Sequence, residues 1–193
     1  LSACTVSAQL VITPGAQFSM AGNMQLTLQN STFINNGTFT AGDGTTRFTG
    51  DAASAIDGSQ PIHFNELEIN KTTNTSVLLQ TAIGVRQRIL FTSGFLNLNS
   101  FSADLGTTGH LDGEQENTRI IGPIGGEVLF SVNLNSPTNS NPANLRVFIT
   151  SSQDLGNVTI RRGHQLQANN AGTGNSIARY YDITAANNTN LNA

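Results

Sequence analysis

The amino-acid sequence predicts an all-β chain: a right-handed parallel β-helix (β-solenoid) followed by a partial antiparallel β-sandwich-like unit. Three observations carry this. No stretch long enough for a helix places apolar side chains at i, i+3, i+4 and i+7 free of glycine and proline. Thr, Val, Ile, Leu and Phe occur instead in short runs that alternate with polar residues and end in Asn, Gly, Asp or Ser. Turn signals recur at a loose spacing of roughly 18 to 24 residues, room for the three short strands of one β-helix coil.

The elements follow in order. Alternating runs occupy 9–12, 24–28, 45–49 and 64–69. Pro14-Gly15 precedes 16–20, Asn36-Gly37 precedes 38–40, and Ser93-Gly94 precedes 95–98. Asp57-Gly58 and Asp112-Gly113 mark further turns. The period is irregular between 59 and 93, so a coil there carries a longer loop or a longer strand. Asn and Thr together make 46 of the 193 residues. Asn suits such a chain because it tolerates the left-handed conformation and bonds nearby backbone. Identical residues on successive coils can also form side-chain ladders. A sandwich or another antiparallel fold is the competing reading of residues 1–120.

The texture changes near residue 120. Gly122-Pro123 and Gly125-Gly126 break the pattern, and longer alternating strands are expected at 127–132, 144–150, 157–161 and 176–183. The expected division is 1–120 for the coils and 121–193 for the antiparallel unit, within ten residues either way. These four, and about five strands in all for roughly 70 residues, are few for a closed sandwich, so the second unit either is completed beyond Ala193 or packs on the solenoid end. An open solenoid end needs a cap, because its last coil offers bare strand edges.

Composition excludes several classes. A net charge of −3 gives no basic surface for nucleic acid. No run of apolar residues is long enough to cross a bilayer as a helix. Cys4 is the one cysteine, so no disulfide forms within the chain. It is expected either to be buried or to pair outside this sequence. The chain reads as a fragment of a larger protein.

The run Phe33, Ile34, Asn35, Asn36, Gly37, Thr38, Phe39 is followed by Arg47, Phe48, Thr49, Gly50, then by Ile56, Asp57, Gly58, Ser59. Phe64, Asn65, Glu66, Leu67, Glu68, Ile69, Asn70, Lys71 comes next. This order resembles the repeats of large secreted, adhesin-like cell-surface proteins of Bacteroidetes. In those proteins an NNGTFT strand, an F.G strand, an I.GS turn and an F.NL.I.K strand recur, and Glu66 stands here where Asn is usual. Phe95-Leu96-Asn97-Leu98 and Leu105-Gly106 resemble the next coil. Residues 154–160 and 175–183 resemble the domain that follows it. The resemblance implies a secreted or cell-surface setting, export by the type IX secretion system through a C-terminal signal outside this chain, and structural or adhesive roles.

No catalytic, cofactor-binding or metal site is assigned from the residues. β-helix lyases and hydrolases project Asp residues, or Asp with Lys or Arg, from neighbouring coils, and glycoside hydrolysis needs two carboxylates about 5 to 9 Å apart. The candidates are Asp43, Asp57 and Asp112. Asp43 and Asp57 sit in Gly-rich turns, where Asp commonly serves the turn itself. His110, Asp112 and Glu114 would share a face of an extended strand and could hold a cation, Ca2+ being the ion extracellular concentrations favour. The competing reading is an exposed loop at the top of the solenoid.

His63, His110 and His164 lack zincin spacing. No Gly-x-Ser-x-Gly elbow occurs, and the glycines at 122–126 lack the Lys and helix of a nucleotide site. Arg161-Arg162-Gly163-His164 is expected at a solvated hairpin end. Tyr180-Tyr181 is the one candidate aromatic platform for sugar, and as strand neighbours one should be core and one exposed. Most of the ten Phe sit in alternating runs and are expected to stack inside the solenoid. Thr-x-Thr lacks the fixed period of an ice-binding face.

The sequence thus favours a non-enzymatic structural or adhesive segment of an extracellular or cell-surface protein. Its expected partners are surface or matrix components, polysaccharide or other protein chains. The alternative is a carbohydrate-active module, binding or lyase-like, on a β-helix scaffold. A third option is an assembly subunit completed by another chain's strand.

Overall fold

The computed structural model describes residues 3–167 and 178–188. Six stacked coils, each of three short strands, form a parallel β-solenoid. The first coil is β1 (Ala3–Val6), β2 (Leu10–Ile12) and β3 (Gln17–Ser19). The second is β4 (Gln25–Gln29), β5 (Phe33–Asn35) and β6 (Thr38–Thr40). The third is β7 (Thr45–Gly50), β8 (Ser54–Asp57) and the start of β9 (Ile62–Lys71). The rest of β9, β10 (Ser76–Leu79) and the start of β11 (Ile83–Asn97) make the fourth. The remainder of β11 and β12 (Ala103–Asp104) make the fifth. The sixth is β13 (His110–Asp112), β14 (Thr118–Ile121) and the start of β15 (Glu127–Asn135).

The register runs through all six levels. On the first face Ala3 pairs with Gln25, then Thr45, Glu66, Arg88 and His110. The irregularity between 59 and 93 is therefore not a break in the stack. β9 and β11 turn their corners without leaving the strand. β11 does so through register shifts between Val85 and Arg88 and between Phe91 and Ser93. The corner between Val85 and Arg88 bends by a bulge alone and carries no turn signal in the sequence, whereas the second adjoins the Ser93-Gly94 signal, with Gly94 at φ 83°.

Period-2 alternation puts one row of each strand inside. Leu26, Thr46, Leu67, Ile89 and Leu111 form one inward column, and Leu28, Phe48, Ile69 and Phe91 the next; all are buried. Phe33, Ile56 and Leu79 line the second face. The expected aromatic stack is present: ring centroids lie 6.2 Å apart for Phe18–Phe39, 5.0 Å for Phe33–Phe39 and 5.7 Å for Phe39–Phe64. Asparagine serves the corners, but not as ladders of identical residues. Asn30, Asn74 and Asn99 hold positive φ. Asn35 and Asn99 donate across coils to the carbonyls of Pro61 and Leu79, each at 2.9 Å.

β15 changes the topology. Its start pairs parallel with β12, and it then forms an antiparallel sheet with β16 (Asp154–Gly163) and β17 (Tyr180–Ala185). The strand expected at 144–150 is absent. Ala143, Asn144 and Arg146 have φ of 51°, 56° and 62°, which no pleated strand accommodates. This segment instead folds over the last coil: the Asn144 Nδ2 donates to the Leu111 carbonyl at 3.0 Å, and Leu145 is fully buried. Of the strand expected at 176–183, residues 176 and 177 lie outside the described residues, and β17 begins at Tyr180.

An ion pair locks this cap. Gly113, at φ 74°, turns the chain so that Glu114 points inward. Both Glu114 carboxylate oxygens accept from Arg162 at 2.9 Å, and Arg162 is fully buried. The expected solvated end at 161–164 is thus partly core: Arg161 reaches Glu127 at the surface, while Arg162 and His164 are buried. Adjacent strand residues face opposite ways, so a basic run in a strand splits between solvent and interior.

Burial alone would raise the Glu114 carboxyl, but the Arg162 charge and hydrogen bonds and the Ile120 N–H hold it below its ordinary value. His164 is pushed down from 6.5 to about 3 by burial first, then by the Arg162 charge.

Three outcomes follow from this packing. Phe64→Ala should cost roughly 3–5 kcal/mol in chemical denaturation. Arg162→Ala, which strands a buried carboxylate, should cost a similar ~3–5 kcal/mol. Because the folded state keeps His164 neutral while the unfolded chain protonates it, stability should begin to fall as pH drops below 6.5 and continue falling toward about 3. Thermal melts of His164→Gln between pH 7 and pH 5 should show a flatter pH dependence than the parent.

Candidate functional site

The outward row of the first face is the densest collection of charged side chains that the fold brings together. β7, β9, β11 and β13 lie side by side there, so residues one coil apart in sequence become cross-strand neighbours. Arg47 Nε donates to Glu68 at 2.6 Å across 21 residues. Thr92 donates to the other Glu68 oxygen at 3.2 Å. In the adjacent column Glu66 accepts from Thr45 at 3.1 Å and from Arg88 at 3.2 Å. Arg88 also faces Asp112 at 3.6 Å, and His110 Nε2 lies 3.4 Å from the same carboxylate. Glu68 is buried beneath its partners, whereas Arg88, His110 and Asp112 are partly exposed.

The candidates seen in the sequence scatter around this face. Asp43 is in an exposed turn and accepts from Arg86 at 3.0 Å. Asp57 accepts from the Gly58 N–H at 2.7 Å, the turn-serving role expected of it. Asp112 alone reaches the charged face. His110, Asp112 and Glu114 do not form one cation site: the first two share the outer face, while Glu114 points into the cap. The expected exposed loop is likewise corrected, since His110–Asp112 is a coil strand. Among the described residues no group of three His, Cys, Asp or Glu could hold a metal ion.

Tyr180 and Tyr181 do face opposite ways, and both hydroxyls are engaged. Tyr180 donates to Glu127 at 3.0 Å and Tyr181 to the Leu145 carbonyl at 2.7 Å. Both side chains are half-buried, so the expected split into one core and one exposed ring is not found. His63 lies over Gly84 at the rim of a cavity of about 420 Å³, far along the chain from His110 and His164. A larger cavity of about 730 Å³ opens in the C-terminal unit, lined by Val147, Phe148, Leu155 and Ile183. Neither cavity takes its lining from the charged row. Cys4 is exposed in the first coil, paired in register with buried Leu26. No helix among the described residues is long and apolar enough to cross a membrane.

In the sequence Arg47, Glu66 and Glu68 stood out only as parts of the repeat motifs, and Arg88 not at all. The signal was there: Arg47 precedes Glu68 by 21 residues and Glu66 precedes Arg88 by 22, one coil each. Opposite charges at the coil period, not at helical spacing, mark such a row. No protein-family model, curated protein or solved structure matches the chain.

The row predicts graded costs. Glu68→Ala removes a buried acceptor shared by Arg47 and Thr92 and should cost about 1–3 kcal/mol. Glu116→Ala removes an almost fully exposed carboxylate paired with Arg119 and should change the unfolding free energy from urea titration by less than about 0.5 kcal/mol.

Proposed function

We propose that this chain is a non-catalytic structural segment of an extracellular, cell-surface protein, a rigid spacer with an adhesive role. The observation that carries the reading is where the chain spends its polar chemistry. Glu66, Glu68, Arg47 and Arg88 bond to neighbouring coils, and Glu114 and Arg162 lock the cap. A continuous core under such a surface resists bending, because each inner coil is bonded to the coils on both sides. The order of strand motifs around Phe33–Asn35 and Ile62–Lys71 supports a place among adhesin-like surface proteins of the Bacteroidetes type, exported by the type IX system.

Rigidity is measurable. A spin label on Cys4 and a second on Asn188→Cys should give a single narrow distance distribution by pulsed EPR. A broad distribution would overturn the spacer reading. In cells carrying the natural gene, externally added protease should reach the protein without lysis; protection until lysis would remove the surface assignment.

One arrangement favours the carbohydrate reading as a second function: Arg88 bridges Glu66 and Asp112 on adjacent coils with His110 alongside. Arginine and carboxylates in one flat row can hydrogen-bond sugar hydroxyls. Affinity electrophoresis through polysaccharide gels should then show retardation that Arg88→Ala abolishes. Equal mobility in every gel would exclude it.

A further inference from the structure

Lys71 is the one lysine in the chain and is fully buried. Its place in the stack is unusual. Gly50 pairs with Lys71 in register, and Asn30 follows Gln29, the partner of Thr49. Asn30, Gly50 and Lys71 therefore form one column over three coils. Gly50, at φ 92°, has no side chain, and a Cβ there would collide with the Asn30 carboxamide. On the other side, a Cβ on Gly94 would collide with Lys71. The middle coil thus leaves a gap through which the lysine meets a carboxamide two coils away.

The groups in the gap are arranged for one reaction. Lys71 Nζ donates to the Thr49 carbonyl at 2.6 Å, to Ser54 Oγ at 3.1 Å and to Asn30 Oδ1 at 3.4 Å. Asn30 Oδ1 also accepts from the Ala52 N–H at 3.0 Å, and Asn30 Nδ2 donates to Asp51 Oδ1 at 2.9 Å. Those two bonds fix which end of the carboxamide is oxygen. The carbonyl is polarised by a backbone N–H, the departing nitrogen rests on a carboxylate, and the amine stands beside the carbonyl oxygen, to be drawn toward Asp51 as it closes on Cγ.

We propose that Lys71 and Asn30 join in an intramolecular isopeptide bond, with Asp51 as the proton carrier. The neutral Nζ attacks Asn30 Cγ, forming the new C–N bond, and the Ala52 N–H holds the oxygen as it gains charge. Asp51 takes a proton from Nζ and delivers it to Nδ2. The Cγ–Nδ2 bond breaks, and the nitrogen leaves as ammonia with the bonding pair. Amine plus carboxamide gives secondary amide plus ammonia; Asp51 ends as it began, and no oxidant or other reactant is needed. Burial disfavours the Lys71 ammonium and so lowers its pKa, which favours the nucleophilic form. The product staples the second coil to the fourth across Gly50 and closes a loop spanning 41 residues.

The test is the intact mass of the purified full chain under denaturing conditions. The expected mass is one ammonia below that of the sequence. Proteolysis should yield one branched peptide joining the Asn30 and Lys71 segments, with no tryptic cleavage after Lys71. The full sequence mass, with both segments recovered separately, overturns the proposal. Cyclisation of Asn30 onto its own backbone would also release ammonia, but it leaves no branched peptide and persists in Lys71→Arg. Loss of ammonia in that variant therefore also overturns it. Asp51→Ala should slow bond formation at least tenfold in a time course after refolding; an unchanged rate removes Asp51 from the reaction. The branched peptide in the parent chain decides the matter whether or not the variants fold.

Discussion

Everything in this molecule depends on keeping the coils in register. No coil has a core of its own: Leu67 is buried only because Thr46 and Ile89 lie on either side of it. The side-chain period of a strand is two, so a slip of one residue would turn Leu26 and Leu28 to solvent and Thr27 inward. The other features serve this constraint. Stacked phenylalanines fill the interior of the early coils, where rings 5.0 to 6.2 Å apart gain from edge and offset contacts beyond burial alone. Asn35 and Asn99 tie corners to the next coil's backbone, and the charged row on the first face pairs only when the levels align. A slipped coil loses the aromatic stack, the corner bonds and the ion pairs together, which is why the register is unique.

The same constraint makes the two ends of the stack different problems. At the sixth coil, β15 leaves the parallel pattern, turns back as an antiparallel sheet, and sends a loop over β13. That loop holds five residues at positive φ, Ser136, Asn139, Ala143, Asn144 and Arg146, and the lock beneath it needs a buried charge pair. Buried ion pairs contribute little net stability against apolar residues of the same size, but they strongly penalise arrangements that separate the partners. Glu114 with Arg162 therefore specifies how the cap sits more than it stabilises it. At the first coil, β1 and β2 pair on one side only among the described residues, and Cys4 and Val6 occupy inward columns with no strand above them.

What was legible in the sequence follows from what each residue answers to. Strands bounded by Pro14-Gly15 or Asn36-Gly37 declare themselves, because local turn chemistry and alternation agree. β8 runs Ser54-Ala55-Ile56-Asp57 and β10 runs Ser76-Val77-Leu78-Leu79, so neither alternates apolar with polar residues, and the early part of β11 hides because its corner between Val85 and Arg88 is a bulge without turn residues. The segment 144–150 alternates like a strand but answers to Glu114, Leu111 and Asn141 instead, through Arg146 and Asn144. Asp57 kept the turn role its neighbours imply. Glu114 did not follow its neighbours, because one glycine at φ 74° reverses the chain between it and Asp112.

The chemistry of the molecule was hidden for a geometric reason. Motif searches look for groups a few residues apart, since helices and hairpins bring those together. A solenoid brings together groups one or two coils apart, so Arg47 meets Glu68 at a separation of 21 and Lys71 meets Asn30 at 41. At such separations a lone charge looks like ordinary surface composition. The distinction between the two cases then rests on what lies between the partners. Where the neighbouring coil presents a side chain of complementary charge, as Glu68 does to Arg47, a ladder forms and the chemistry ends there. Where the intervening coil presents glycine, as at Gly50, no side chain fills the column, so the lysine bonds the Thr49 carbonyl and Ser54 of that coil and extends to Asn30 on the level beyond. A glycine in a stacked column of a solenoid, half-buried here at Gly50, is therefore a mark of a long-range contact, and a cation at the next level identifies which side chain makes it.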